Sequence, residues 1–420
     1  MRQLLPLLMV MLGLHGIAQP SGQDKVWLLK PDRVFDGVEM HEGWMVLIGN
    51  GRIIEAGPAI VQPKGATVVE LKGHTLLPGL IEGHSHLFLH PYNEVSWNDQ
   101  VLLESRAERT ARAVVHARKT LEAGFTTVRD LGTEGAEYDD VGLKLAIGKG
   151  VIPGPRMLVA TKAIVATGSY GPKDVNPDHD LPKGAAEADG VEGLVREVRT
   201  QIGKGADLIK IYADYRWGLN GKAEPTFTEE EWKAIVATAS SSGRQVVAHA
   251  STPEGMNRAI MAGVATIEHG DGGTAETWKL MKERSVALCP TLMAGEAIAS
   301  YRGWRKGQDA EPERITAKKK SFREALETGV TISFGGDVGV FAHGENAKEM
   351  ELMVEYGMRP LQVLQSATSV NAALFGWGDQ LGRVKPGFLA DLVAVEGDPS
   401  KEIKAMSRVK MVWKEGVKVR

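Results

Sequence analysis

The middle of the chain alternates short apolar segments with longer runs of helical periodicity, and few architectures accept that alternation. The segments lie at residues 77–82, 125–129, 156–160, 208–212, 245–248, 265–268, 286–289 and 330–334. Each is short, apolar and flanked by turn residues, so each reads as a strand buried on both faces. Between them, residues 105–123 carry apolar positions at helical spacing, and Thr228 with Glu231 opens a helix over 229–241 in a capping-box pattern. Strands separated by helices in this way predict a parallel (β/α)8 TIM barrel over residues 76–381. In such barrels the chemistry sits at the C-terminal ends of the strands.

Both ends of the chain read differently. Segments 26–29, 44–48, 52–56 and 67–71 are separated by Gly, Pro and Asn turns, and segments 391–395, 410–412 and 417–419 repeat the style. They predict a small β-sandwich built from residues 23–75 and 382–420. Residues 1–18 combine Arg2, an apolar stretch over 4–14 and a small-residue site ending at Ala18, the make-up of a removable signal peptide. The mature protein is therefore expected to be exported, periplasmic or secreted, without a membrane span. A net charge of −3 with Lys and Arg spread along the chain gives no nucleic-acid surface. Cys289 is the single cysteine, so no internal disulfide can form, and its apolar segment marks it as a small buried residue.

Polar residues gather where the predicted strands end. His84 and His86 are two residues apart, so an extended strand points both imidazoles the same way. Lys210 lies inside the fourth strand, His249 ends the fifth, His269 ends the sixth and Asp337 ends the eighth. Each alone has an ordinary reading, a packed core histidine or a turn aspartate. In register on one barrel face they predict a metal site. Lys210 is the odd member, because an ammonium does not bind a cation and is costly in an apolar strand. Burial favours the neutral amine, which can react with CO2 to give a carbamate. Pairing with a buried Asp207 or Asp214 is the other reading of this lysine.

This order of groups resembles the metal-dependent amidohydrolase superfamily, with its His-x-His strand, carboxylated lysine, two single histidines and final aspartate. The segment TLLPGLIEGHSH (residues 75–86), residues 367–376 and GRVKPGFLADLVAVEGDP (residues 382–399) resemble that superfamily's recurring stretches as well. The resemblance implies two divalent metal ions. His84, His86, Lys210 and Asp337 would hold the more buried one, and His249, His269 and the shared Lys210 carbamate the more exposed one. Nitrogen and oxygen ligands without cysteine fit zinc best. Asp337 would take a proton from water and pass it to the leaving nitrogen. Self-association into a homo-oligomer is implied by the resemblance only.

Within the superfamily the chain is similar to the Xaa-Pro dipeptidase, carboxypeptidase-like and ochratoxinase group. That likeness implies hydrolysis of an amide to release a C-terminal amino acid from N-acyl amino acids or dipeptides, ochratoxin-type aryl amides of Phe among them. Tyr215, Arg216 and Trp217 follow the metal lysine, and Arg216 with a tyrosine hydroxyl suits a substrate carboxylate. An ion pair between Arg216 and Asp214 is the competing reading. His90, Tyr170 and His343, just past the first, third and eighth strands, are further candidate contacts. Where many relatives carry Gly-Gly-His after the third strand, this chain has Gly168-Ser169-Tyr170. Two alternatives are a cyclic amidohydrolase similar to imidazolonepropionase or hydantoinase, and a non-catalytic secreted binding module.

Overall fold

The computed structural model describes residues 25–420, and the expected signal segment lies outside them. Among the described residues no helix is long and apolar enough to cross a membrane.

Two parallel sheets carry the predicted middle strands. Leu80–Ser85, Phe125–Asp130 and Arg156–Val159 form one of three strands. Ala186–Glu187, Ile164–Val165, Ile209–Tyr212, Val246–Ala250, Thr266–His269 and Ala287–Cys289 form the other, in that order. Their residues are buried almost throughout, as continuous apolar runs demand when both faces are covered.

The predicted eighth strand, residues 330–334, is instead irregular backbone that touches both sheets. Among the described residues its ladder contact is a parallel bridge from Ile332 to Leu288, and Val338, past the following turn, bridges to Ser85. Gly83 N–H donates to the Phe334 carbonyl and His86 N–H to the Val338 carbonyl. Regular strand geometry fails here because the segment turns sharply through Gly335 and Gly336 into Asp337, whose φ is +61°. Gly335 is needed for the close approach: a Cβ there would fall 2.7 Å from the His84 nitrogen and 2.5 Å from Cys289 Sγ. At the opposite edge, Asp207 N–H donates to the Val159 carbonyl at 2.8 Å, tying the two sheets together.

The two chain ends share a single hydrogen-bonded sheet of eight strands, where two facing sheets were expected. The cause is the length of Thr67–Pro78, predicted to end at residue 71. This strand pairs with Trp27–Phe35 on one side and with Leu392–Glu396 on the other. It runs on through Gly73 at φ +80° and leads directly into the Leu80–Ser85 strand. The Leu80–Ser85 strand is thus anchored to the terminal sheet.

Helices pack around the parallel sheets. The capping box of Glu229–Ser240 forms as predicted, with Thr228 and Glu231 bonded reciprocally. Trp232 and Trp278 are fully buried in the main core cluster. Burial of side chains this size contributes roughly 2–3 kcal/mol each. Gly273 makes room for Trp278, since a Cβ would sit 1.9 Å from the indole, so Gly273→Ala would displace the ring.

Candidate metal centre

Four imidazoles and one aspartate meet at a single cavity of about 500 Å³, with Lys210 buried in the adjoining strand. The cavity lining includes His84, His86, His249, His269 and Asp337. Ring centroids of His84 and His86 are 5.3 Å apart, those of His84 and His269 5.1 Å, and those of His249 and His269 4.5 Å. The strands deliver them by register: Lys210 pairs with Val247, Tyr212 with His249, and Ala250 with His269.

His84, His86 and Asp337 converge most closely. Nε2 of His84 and Nε2 of His86 lie 3.6 and 3.4 Å from the same Asp337 oxygen. Donors bound at about 2.0–2.1 Å in a tetrahedron stand about 3.3 Å from one another. Both nitrogens therefore stand at about ligand spacing from the Asp337 oxygen, and all three donors lie within 4.8 Å of one another. Among the described residues, His249 and His269 do not complete a second group of three at this spacing. A Cys289, His84 and Glu268 cluster does meet it, but there the Nδ1 of His84 is already bonded to Glu268. The Cys289 thiol is buried, and its pKa is pushed well above normal, which makes it a poor ligand.

Outer partners turn each imidazole to face the cavity. Nδ1 of His84 donates to Glu268 at 2.9 Å, and Nδ1 of His86 donates to the Gly132 carbonyl at 2.8 Å. Nδ1 of His269 is 2.7 Å from the Thr291 hydroxyl. In each case Nε2 is left for a cation. His249 is held instead by stacking on Tyr212, with centroids 4.4 Å apart and planes 14° from parallel.

Charge is tuned for ligation. Burial, with Lys210 as the next largest cause, holds His249 down at about 3, and burial likewise lowers His84, His86 and His269. All four are neutral near pH 7, the form that binds metal. Burial also lowers Lys210, against the opposing pull of Glu268 and Asp337. Neither carboxylate weighed as its partner reaches it: Asp207 pairs with Lys144 at 2.6 Å, and Asp214 is taken up by Ser251 and Thr252. Asp337 is raised, burial outweighing the nearby His86 and Lys210. His269 and Asp337 both sit at positive φ, +73° and +61°, which non-glycine residues adopt at a cost the surrounding packing must hold.

The amidohydrolase family profile matches residues 75–419, which takes in nearly all of the described chain. This chain belongs to the amidohydrolase family. The ochratoxinase of Aspergillus niger is 31% identical over 376 residues, covering 81% of this chain and 75% of that protein. A Xaa-Pro dipeptidase crystallised with methionine in its active site is 33% identical with a TM-score of 0.84, over 94% of this chain and 100% of that one. A prolidase complexed with N-methylphosphonate-L-proline is 29% identical with a TM-score of 0.80, again over 94% and 100%. The amidohydrolase is a hydrolytic enzyme acting on C–N amide bonds, with residues able to bind metal at its cavity.

The other predicted contacts divide. Tyr170, Tyr215 and Arg216 line the amidohydrolase's cavity. Arg216 is released from Asp214, whose oxygens are taken, and lies over the Tyr215 ring at 5.7 Å. His90, Trp217 and His343 are not part of that wall. Both nitrogens of His90 are bonded, to Glu94 at 3.1 Å and Glu104 at 2.8 Å. His343 stacks on His116 and lies 3.1 Å from the Leu89 carbonyl, so it braces the loop after the first strand. Trp217 is 46% exposed and donates to the Glu224 carbonyl, outside the cavity.

Sequence reasoning missed Glu134, Tyr92 and Arg302, which all face the cavity. Glu134 was open to discovery, because it stands just past the second strand in the turn Gly132-Thr133-Glu134-Gly135. The search of strand ends had passed over that strand. Glu268 was also missed, since its position inside an apolar strand looks like the odd charge of a buried segment.

Proposed function

We propose that this chain is a binuclear metal-dependent amidohydrolase that releases a C-terminal amino acid from N-acyl amino acids or dipeptides, ochratoxin-type aryl amides of Phe included. The observation that carries the proposal is the convergence of His84 and His86 on Asp337 at 3.6 and 3.4 Å. The two parallel sheets, tied at both edges, are read as one (β/α)8 barrel with this cluster at its mouth. His84, His86, Lys210 and Asp337 would hold one ion, and His249, His269 and Lys210 a second, with Lys210 as a carbamate and zinc the preferred metal.

Bound there, divalent ions supply polarisation of the acyl oxygen and a lowered pKa for water. The chain's own residues do the rest. Asp337 takes the proton of the attacking water and delivers it to the leaving nitrogen, which an amine leaving group requires. Arg216 and the Tyr215 hydroxyl bind the carboxylate of the released amino acid. Tyr170, Tyr212 and Tyr215, with centroids 4.8 to 5.8 Å apart, form an aromatic wall for an apolar side chain. Export by the segment 1–18 and self-association complete the reading.

The test is a panel of N-acyl amino acids, dipeptides and cyclic amides on the zinc-loaded enzyme. Release of a C-terminal amino acid supports the proposal, and ring opening without such release overturns it. Asp337→Asn should lower turnover by at least about 100-fold.

A further inference from the structure

Glu134 is a buried acidic group whose carboxylate has no contact ion pair, with Arg109 and Lys210 acting on it only from farther off. Its side chain is 3% exposed, lines the cavity, and has no cationic side chain within ion-pair distance among the described residues. Two neutral donors hold it: the Tyr170 hydroxyl at 2.6 Å and the Trp97 indole nitrogen at 3.0 Å, both on Oε2. Oε1 has no partner. A buried carboxylate oxygen left without a donor is costly, so a site that keeps one is built for a ligand to fill it. The backbone reinforces this, because Glu134 is held at φ +50° and Arg109 bonds its main-chain carbonyl while leaving the carboxylate free.

Its position relative to the candidate metal ligands narrows the ligand. The point where a Cβ of Gly132 would stand is 3.5 Å from Glu134 Oε1 and 3.8 Å from Cε1 of His86. Gly132 thus stands between the free oxygen and the imidazole that would hold the inner metal, and both of those side chains line the same cavity. A substrate whose scissile carbonyl sits at that centre shares the cavity with Glu134, which can meet a substituent on the atom next to the carbonyl. For an aminoacyl group, that substituent is the α-ammonium, a compact cation with three donors.

We propose that Glu134 Oε1 binds the free α-ammonium of an aminoacyl substrate, making this enzyme selective for dipeptides over N-acyl amino acids that lack the amine. Tyr170 and Trp97 are positioning residues that aim the carboxylate. The inference rests on the amide-hydrolase reading above and sharpens its substrate class. It also gives Tyr170 a role of its own.

The experiment compares Leu-Phe with its des-amino isostere 4-methylpentanoyl-Phe on the zinc-loaded enzyme. The expected result is a kcat/KM ratio of at least about tenfold in favour of Leu-Phe, the worth of one charged hydrogen bond. Glu134→Gln keeps the acceptor for Tyr170 and Trp97 but removes the charge, and should collapse that ratio toward one. A wild-type ratio of one or less, or a ratio that Glu134→Gln leaves in place, overturns the assignment, and because it is a ratio a general loss of activity does not mimic either result. If neither compound is hydrolysed, the amide-hydrolase reading fails separately. Calorimetric titration of the same pair then decides Glu134: tighter binding of Leu-Phe supports it, and equal or absent binding overturns it.

Discussion

The Glu268 carboxylate accepts the Nδ1 proton of His84 at 2.9 Å with one oxygen and the Arg129 guanidinium at 2.8 Å with the other. Both side chains of that ion pair are 1% exposed or less, so it fixes a candidate metal ligand from inside the core. Arg129 also donates to the Gly83 carbonyl, one residue before His84. The same pair therefore orients the ring and holds the strand that carries it.

Glu268→Gln should accordingly act at two levels. Metal affinity should fall by roughly 10–100-fold, as when an outer partner of a ligating histidine is lost. Stability should fall by about 3 kcal/mol or more, because Arg129 is left as an uncompensated buried charge. Competition against a chelator and urea unfolding measure the two effects. A variant that loses stability but keeps metal affinity would restrict Glu268 to holding the fold.

Lys210 offers a test that needs no substitution. With its pKa lowered by burial, more of its amine is in the neutral form that takes up CO2 than in an ordinary lysine. Metal-stripped enzyme reloaded with zinc in CO2-depleted buffer should regain much less activity than enzyme reloaded with zinc and bicarbonate. Equal recovery in both buffers would mean that Lys210 serves as an amine.

The cluster of candidate metal ligands was legible in the sequence because each group follows or lies in a visible apolar run, and the ends of such runs share one rim. His84, His86, His249, His269 and Asp337 line one cavity, and Lys210 is buried in the neighbouring strand. The eighth strand was not legible in its true form, since Val330 to Phe334 are apolar enough for a strand while Gly335 and the +61° φ of Asp337 bend it away. His90 and His343 were misjudged for a different reason. Distance along the chain past a strand says nothing about direction, and Glu94, Glu104 and His116 turn them away from the cavity. Composition around Glu268 gave no hint that its partner lies 184 residues away.

Arg216 and Trp217 are neighbours in sequence with opposite surroundings, so they should separate in kinetics. Arg216 lines the cavity with a guanidinium free of Asp214, while Trp217 is half exposed and tied to Glu224. Arg216→Ala should raise KM for a dipeptide by on the order of tenfold or more, and should do little when the substrate's C-terminus is an amide. Trp217→Ala should leave both substrates within about twofold. A loss in Arg216→Ala that persists on the amidated substrate would remove its carboxylate role.

Asp271 links acid stability to the histidine turn. It pairs with Lys318 at 2.6 Å and Arg314 at 3.2 Å, and Lys318 also donates to the His269 carbonyl. Burial alone would raise the Asp271 carboxyl, but Lys318 and Arg314 outweigh it and hold it at about 2, below its ordinary 3.8. A carboxyl with a depressed folded-state pKa contributes stability that is full above the unfolded value and is lost as pH falls through the folded one. The contribution is about 2 kcal/mol, present above pH 5 and fading from about pH 4 toward pH 2. Asp271→Asn should thus be less stable than wild type by that amount at pH 6, with the gap between the two unfolding curves closing as the pH drops below 4. A gap that stays constant over that range would assign the loss to packing and leave the ion pair without a role in holding His269.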